Sequence, residues 1–299
     1  MRVYYFYLLV IVVFCLTALY SCDAPKNDVE ISPDSEGLLD DLEELEPQKE
    51  NISLFETICR VEAPDAATAK DGLLRLKTFT DCIEGRDYSK ASAKKNLRTI
   101  GKCVADLKLI QQSYQNAFFP NLIFGYSDCD INSLLYLLAA EELDLPIYGL
   151  FAPEHMFVAY ITTTDTVYWE TLSNRQKRLS EFRLKTKLQF DMQCGGELFK
   201  PVSASDLLAL LEYNQALDHH RRGNLDQAIQ SCYRSILSSE NWVSPWHAIA
   251  RFFAEKGSLD EAEEAFLRAR LLCPALISLR KDLQHFYKSI GCLEESNLL

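Results

Sequence analysis

Apolar positions along this chain change their period twice, and the changes mark its organisation. In the front part they recur at helical spacing. Leu97, Ile100, Val104, Leu107 and Ile110 form one stripe with Lys and Asp opposite, which predicts a helix over 93–114. Leu73, Leu74 and Leu76 place another over 66–79. Ile131, Leu134, Leu135 and Leu138 fall at i, i+3, i+4 and i+7, predicting a helix over 130–143 with one buried face. The period then shortens. Residues 146–152 are apolar, 155–161 alternate, 163–165 suit a tight turn, and 166–170 read as the next strand. After Pro201 the helical period returns, with Ser203 or Ser205 as N-cap, and continues to the end. The expected fold class is therefore α+β: a helical front and an antiparallel sheet, followed by an all-α array.

The array is repetitive. Gly223, Gly257 and Gly291 are spaced by 34 residues, with Leu225, Leu259 and Leu293 in step and Ala228 matched by Ala262. A period of that length with a helix–turn–helix unit is that of the tetratricopeptide repeat. Trp246, Ile249, Ala250, Phe253, Gly257, Ala262, Phe266, Ala269 and Pro274 resemble that family's signature in the middle unit. The first unit, about 209–242, is weaker, and the third begins at Ile277 and stops early in its second helix. Two and a half repeats are marginal alone, so the array, 203–299, is expected to pack on the domain before it and to serve as a scaffold for a protein or peptide partner.

Charge and cysteine usage narrow the setting. A formal net charge of −12 argues against nucleic acid and against anionic membrane surfaces as partners. The chain opens with Arg2 and an apolar run from Val3 to Leu19, then Leu19-Tyr20-Ser21-Cys22. Residues 1–22 resemble a bacterial lipoprotein signal, which implies a lipid anchor at Cys22 and a place in the cell envelope, periplasmic or surface-facing; the alternative is an uncleaved N-terminal anchor. Residues 23–53 read as an acidic tether, with seven acids and no base between Asp34 and Glu46. None of the ten cysteines forms a CxxC pair or a zinc-type cluster, and no metal or cofactor is called for. Export permits a disulfide among Cys59, Cys82 and Cys103, with the pair left open. Cys194 precedes a Gly195-Gly196 turn.

The chemistry concentrates in 127–172. Cys129 is followed after 26 residues by His155 and after 15 more by Glu170. The cysteine lies at the first turn of a predicted helix, where free N–H groups favour an anion such as a thiolate. His155 starts one predicted strand and Glu170 ends its hairpin neighbour, so the two can meet as base and orienting acid. Cys129 before SLLYLLAAEELDLPIYG, the PEHMFVAY segment and YWETL together resemble the transglutaminase-like superfamily, most of all its bacterial branch joined to tetratricopeptide repeats. The resemblance implies a papain-type core over 54–200, Cys129 as nucleophile, His155 as base and Glu170 as acid, acting in amide hydrolysis or acyl transfer. Two departures from its pattern are Glu154, where the family has glycine, and the acids Asp128 and Asp130 beside the cysteine. A neighbouring carboxylate disfavours a thiolate; Asp128 has an alternative use as helix N-cap. The competing expectation is an inactive adaptor that keeps the scaffold and recruits a partner. Residues 114–124 read as an aromatic loop or a cleft wall. The basic run Arg175, Lys177, Arg178, Arg183, Lys185 and Lys187 reads as a solvated face or as an attractor of a substrate anion.

Overall fold

A computed structural model describes residues 53–112, 117–152, 155–185, 198–274 and 276–292. The leader with Cys22, the acidic tether up to Ile52, Tyr114, Glu154 and Cys194 lie outside these residues, and Ser53, read as the tether's last residue, is a helix cap. Among the described residues no helix is long and apolar enough to cross a membrane.

Three capped helices open the fold. Helix α1, Leu54–Glu62, starts at Ser53 in a capping box with Glu56; α2, Ala66–Glu84, starts at Asp65; and α3, Ala93–Asp106, starts at Ser92. In each the capping oxygen accepts from backbone N–H groups that the helix cannot satisfy. A disulfide joins Cys82 on α2 to Cys103 on α3, which settles the pair left open by sequence; Cys59 takes no part in a disulfide. Closing a loop of 21 residues stabilises the fold by about 3 kcal/mol in the chain-entropy picture.

The expected helix over 93–114 ends early. Leu107 and Lys108 close it with short bonds to Val104 and Ala105, and Lys108 turns to a left-handed φ of 54°. Ile110 then leaves the stripe that sequence gave it, stands 61% exposed, and joins Gln111 in β1, Ile110–Gln111, parallel to β2, Tyr126–Ser127. The aromatic stretch read as a loop contains α4, Phe118–Phe124, with Phe118 and Phe119 in the core.

Helix α5, Cys129–Leu143, is the centre of the front domain. Ile131, Leu134, Leu135, Tyr136 and Ala139 are all essentially inaccessible. Beside it lies an antiparallel sheet in the order β3 (Ile147–Ala152), β4 (His155–Ile161), β5 (Thr166–Glu170), β6 (Arg175–Gln176). These strands agree with the sequence reading to within a residue. Alternation splits the sheet into two faces. Ile147, Met156, Val158 and Trp169 join the core with α5, while Leu150, Phe157 and Ala159 pack with Phe182 of α6, Leu179–Lys185.

Five helices follow: α7 (Ala204–Arg221), α8 (Leu225–Ser238), α9 (Val243–Lys256), α10 (Leu259–Leu272) and α11 (Ile277–Ser289). Ser203 caps α7 in a capping box with Asp206. Gly223, Gly257 and Gly291 have φ of 78°, 87° and 84°, left-handed turns that a side chain would strain, at matching points of the period. Trp246, Ile249, Ala250, Ala262, Phe266 and Ala269 are buried between the helices. Helix α7 belongs to both parts of the molecule: Leu210 and Leu211 enter the front core and Ala216 enters the array's core. The array is thus docked, through α7 against α1 and through Phe151 stacked on Trp242 at 5.3 Å. The molecule as a whole is α+β, a helix-rich chain around one antiparallel sheet.

Candidate functional site

The strand pairing places two of the three candidate residues. Strands β4 and β5 pair from Val158↔Trp169 to Ile161↔Thr166. Carried one step further, the register sets Glu170 across from Phe157, so His155 is its diagonal neighbour on the same face. His155 Nε2 lies 3.2 Å from Glu170 Oε1, with both side chains nearly inaccessible. The two atoms are close, but their geometry is not that of an aligned hydrogen bond. The second carboxylate oxygen of Glu170 accepts from Lys177 Nζ at 2.7 Å. Burial pushes the Glu170 carboxyl up, but His155 and Lys177 outweigh it and hold the group down at about 2. The His155 ring is further fixed by Phe157 and Phe182, roughly parallel to it at 6.3 and 6.1 Å, and Lys177 lies over the Phe182 ring.

The third residue sits at the start of α5. Asp128 is the N-cap, its carboxylate accepting from the N–H groups of Asp130 and Ile131 at 3.1 and 3.0 Å. Cys129 is therefore the first helical residue, partly buried and free of any disulfide. The backbone N–H of Met156, the residue after His155, donates to its sulfur, so the helix start abuts the strand that carries the imidazole. The thiol in turn donates to Asp130 Oδ1 at 3.5 Å. Burial first, then the charge of Asp130, push the Cys129 thiol well above its ordinary value. Asp130 itself is pushed up to about 6, by burial and then by Asp128.

A polar frame ties the helix start to the strand end. Asn132 Nδ2 donates to the Thr171 carbonyl at 3.4 Å, and the Ser133 and Thr171 hydroxyls meet at 3.3 Å. Deeper in α5, Tyr136 Oη donates to Asn174 Oδ1 and accepts from Trp169 Nε1. These bonds anchor the residues on either side of Glu170 to the helix that carries Cys129. The frame needs Gly101 of α3: a Cβ there would stand 2.2 Å from the Tyr136 hydroxyl and 2.1 Å from Asn174 Oδ1.

The strand reasoning foresaw the meeting of His155 and Glu170, and the N-cap reading of Asp128 fits. Two participants were missed. Lys177 belongs to the basic run whose pattern suggests a solvated or substrate-facing surface; Arg175 and Arg178 are exposed, but Lys177 turns inward to Glu170. Its signal was position, seven residues past the acid and just after the short strand β6. The other is Asn214 of α7, whose Nδ2 donates to Asp130 Oδ2 at 3.5 Å, a contact across 84 residues that no local pattern reveals. Compared with known proteins, the chain matches no family model and no curated protein.

Proposed function

We propose that this chain is a cysteine-dependent hydrolase or acyltransferase acting on amide bonds through Cys129, His155 and Glu170, on a transglutaminase-like, papain-type core. The single observation that carries the reading is the His155–Glu170 pair, 3.2 Å apart and buried, beside a free cysteine at a helix start. With Nε2 turned to Glu170, the imidazole keeps Nδ1 for the thiol. The Cys129 sulfur attacks the carbonyl carbon while His155 takes its proton. The C–N bond then breaks, and the proton passes to the departing amine. Water, activated by the same imidazole, cleaves the thioester; an amine in its place would give transamidation. The Cys129 backbone N–H, at the first position of α5, supports the oxyanion.

The helices α7–α11 fit tetratricopeptide repeats, by the 34-residue glycine spacing and the buried signature residues, and serve to bind a protein or peptide. The leader and Cys22 give a lipid-anchored protein of the bacterial envelope. The test is alkylation of Cys129 by iodoacetamide near neutral pH, mapped by mass spectrometry against Cys59 and Cys292. Histidine acting as base predicts that His155→Ala slows Cys129 by roughly 100-fold or more. An unchanged rate would favour the second reading, a catalytically inactive adaptor. That reading has its own support in the thiol, which donates to Asp130 and is held protonated.

A further inference from the structure

The nucleophile's own neighbourhood contains a group that the triad does not use. Asp130 follows Cys129 on the first turn of α5 and presents its two oxygens in different directions. Oδ1 accepts from the Cys129 thiol at 3.5 Å, and Oδ2 accepts from Asn214 Nδ2 at 3.5 Å. Asn214 is buried on α7, the helix shared between the front core and the array. Gln215, next on the same helix, donates to the Val61 carbonyl at 2.8 Å and fixes α7 against α1. A continuous hydrogen-bonded path therefore runs from the thiol, through a carboxylate, to the array.

We propose that Asp130 is a positioning residue for Cys129 that keeps the thiol protonated and turned away from attack, and that Asn214 makes this restraint depend on the seating of the array. The inference rests on the reading of Cys129 as the nucleophile. Its physics is direct. A carboxylate accepting the S–H bond stabilises the thiol and repels the thiolate. The groups facing Asp130 are Asp128 from the loop before α5, Cys129 on α5, His155 on β4 and Asn214 on α7. Asp128 opposes the charge on Asp130, while Asn214 and His155 favour it. Withdrawal of Asn214 shifts Asp130 towards its neutral form, which removes the repulsion and frees the thiol. Displacement of α7 from α1 thus releases the nucleophile, and the seated α7 restrains it. This is a brake built from two residues on two domains.

The experiment measures the pH profile of Cys129 alkylation by iodoacetamide in the full chain, for wild type, Asp130→Asn, Asp130→Glu and Asn214→Ala, each also with His155→Ala. Asp130→Asn is expected to move the midpoint down by about one pH unit and to raise the rate near pH 7 by about tenfold. Asp130→Glu keeps the charge and is expected to stay closer to wild type than Asp130→Asn does. Asn214→Ala is expected to shift the profile in the same direction as Asp130→Asn, by less. An Asp130→Asn profile that superimposes on wild type overturns the brake, and an Asn214→Ala profile that does so overturns its link to the array. If Asp130→Asn accelerates alkylation while His155→Ala changes nothing, the brake stands and the assignment of His155 as base fails.

Discussion

On the strand side of the site one carboxylate faces two basic partners; on the helix side two carboxylates and a thiol face one amide. Glu170 has His155 on one oxygen and Lys177 on the other. Asp130 is hydrogen-bonded by Asn214 and the thiol, with His155 favouring its charge from farther off and Asp128 opposing it. Glu170 is buried and Asp130 partly buried, yet the Glu170 carboxyl falls to about 2 and the Asp130 carboxyl rises to about 6. Burial alone does not fix the state of a group; its partners do. The strand side is compensated and holds its geometry. The helix side is under electrostatic load, which suits a group that must change state.

The largest effect is expected from breaking the compensated side. Glu170→Ala leaves the Lys177 ammonium and the His155 ring buried without their acid, and should cost roughly 3–5 kcal/mol in urea unfolding. Acid titration tests the same pair. The folded carboxyl lies at about 2 against an ordinary 4.5. Its contribution, about 3 kcal/mol, is therefore complete above pH 4.5 and lost as pH falls through 2. An alanine variant whose stability below pH 2 equals that of wild type, with a gap only at higher pH, would match this account.

How much of this could be read beforehand follows from how local each contact is. The Glu170–His155 meeting depends on the four-residue turn 162–165 and on alternation, both written in adjacent residues. The N-cap by Asp128 is equally local. The end of α3 was not legible, because Ile110 continues the apolar stripe and only the pairing of β1 with β2 draws it away. Nor was the inward turn of Lys177: the three basic residues 175, 177 and 178 look alike in sequence, and Lys177 alone of them pairs with Glu170 from just beyond β6. The Asp130–Asn214 bond joins α5 to α7 across 84 residues, so its partner lay outside any window of periodicity.

The loaded side should respond with the opposite sign. Asp130→Asn removes a charge that is penalised in the fold, so stability should rise by about 2–3 kcal/mol near pH 7.5. Because the folded carboxyl titrates at about 6 against 3.8, the wild-type penalty is already relieved as pH falls from 6 towards 3.8. The two proteins should then converge near pH 4. A variant destabilised at every pH would mean that Asp130 holds the helix start together rather than loading it.

Lys177→Met uncovers one oxygen of Glu170 while leaving His155 in place. The loss of a hydrogen bond to a charged group predicts a cost of about 2 kcal/mol at neutral pH. The Glu170 carboxyl should move up, so acid unfolding of the variant should begin at a higher pH than in wild type. A variant with unchanged acid behaviour would make His155 the sole compensating partner.

The smallest effect separates the two duties of Asp128. As N-cap it satisfies the Asp130 and Ile131 N–H groups, and Asp128→Ala should cost about 1 kcal/mol of stability. As a neighbouring charge it opposes both Asp130 and the thiolate, so the same variant should alkylate faster at Cys129. Asp128→Ser keeps a capping oxygen without the charge, and should recover most of the stability while retaining the faster alkylation. The two readouts move apart only if the helix start is both capped and electrostatically loaded. Stability and reactivity restored together by serine would show that helix order alone governs the thiol, and the two sides of the site would then differ in packing rather than in charge.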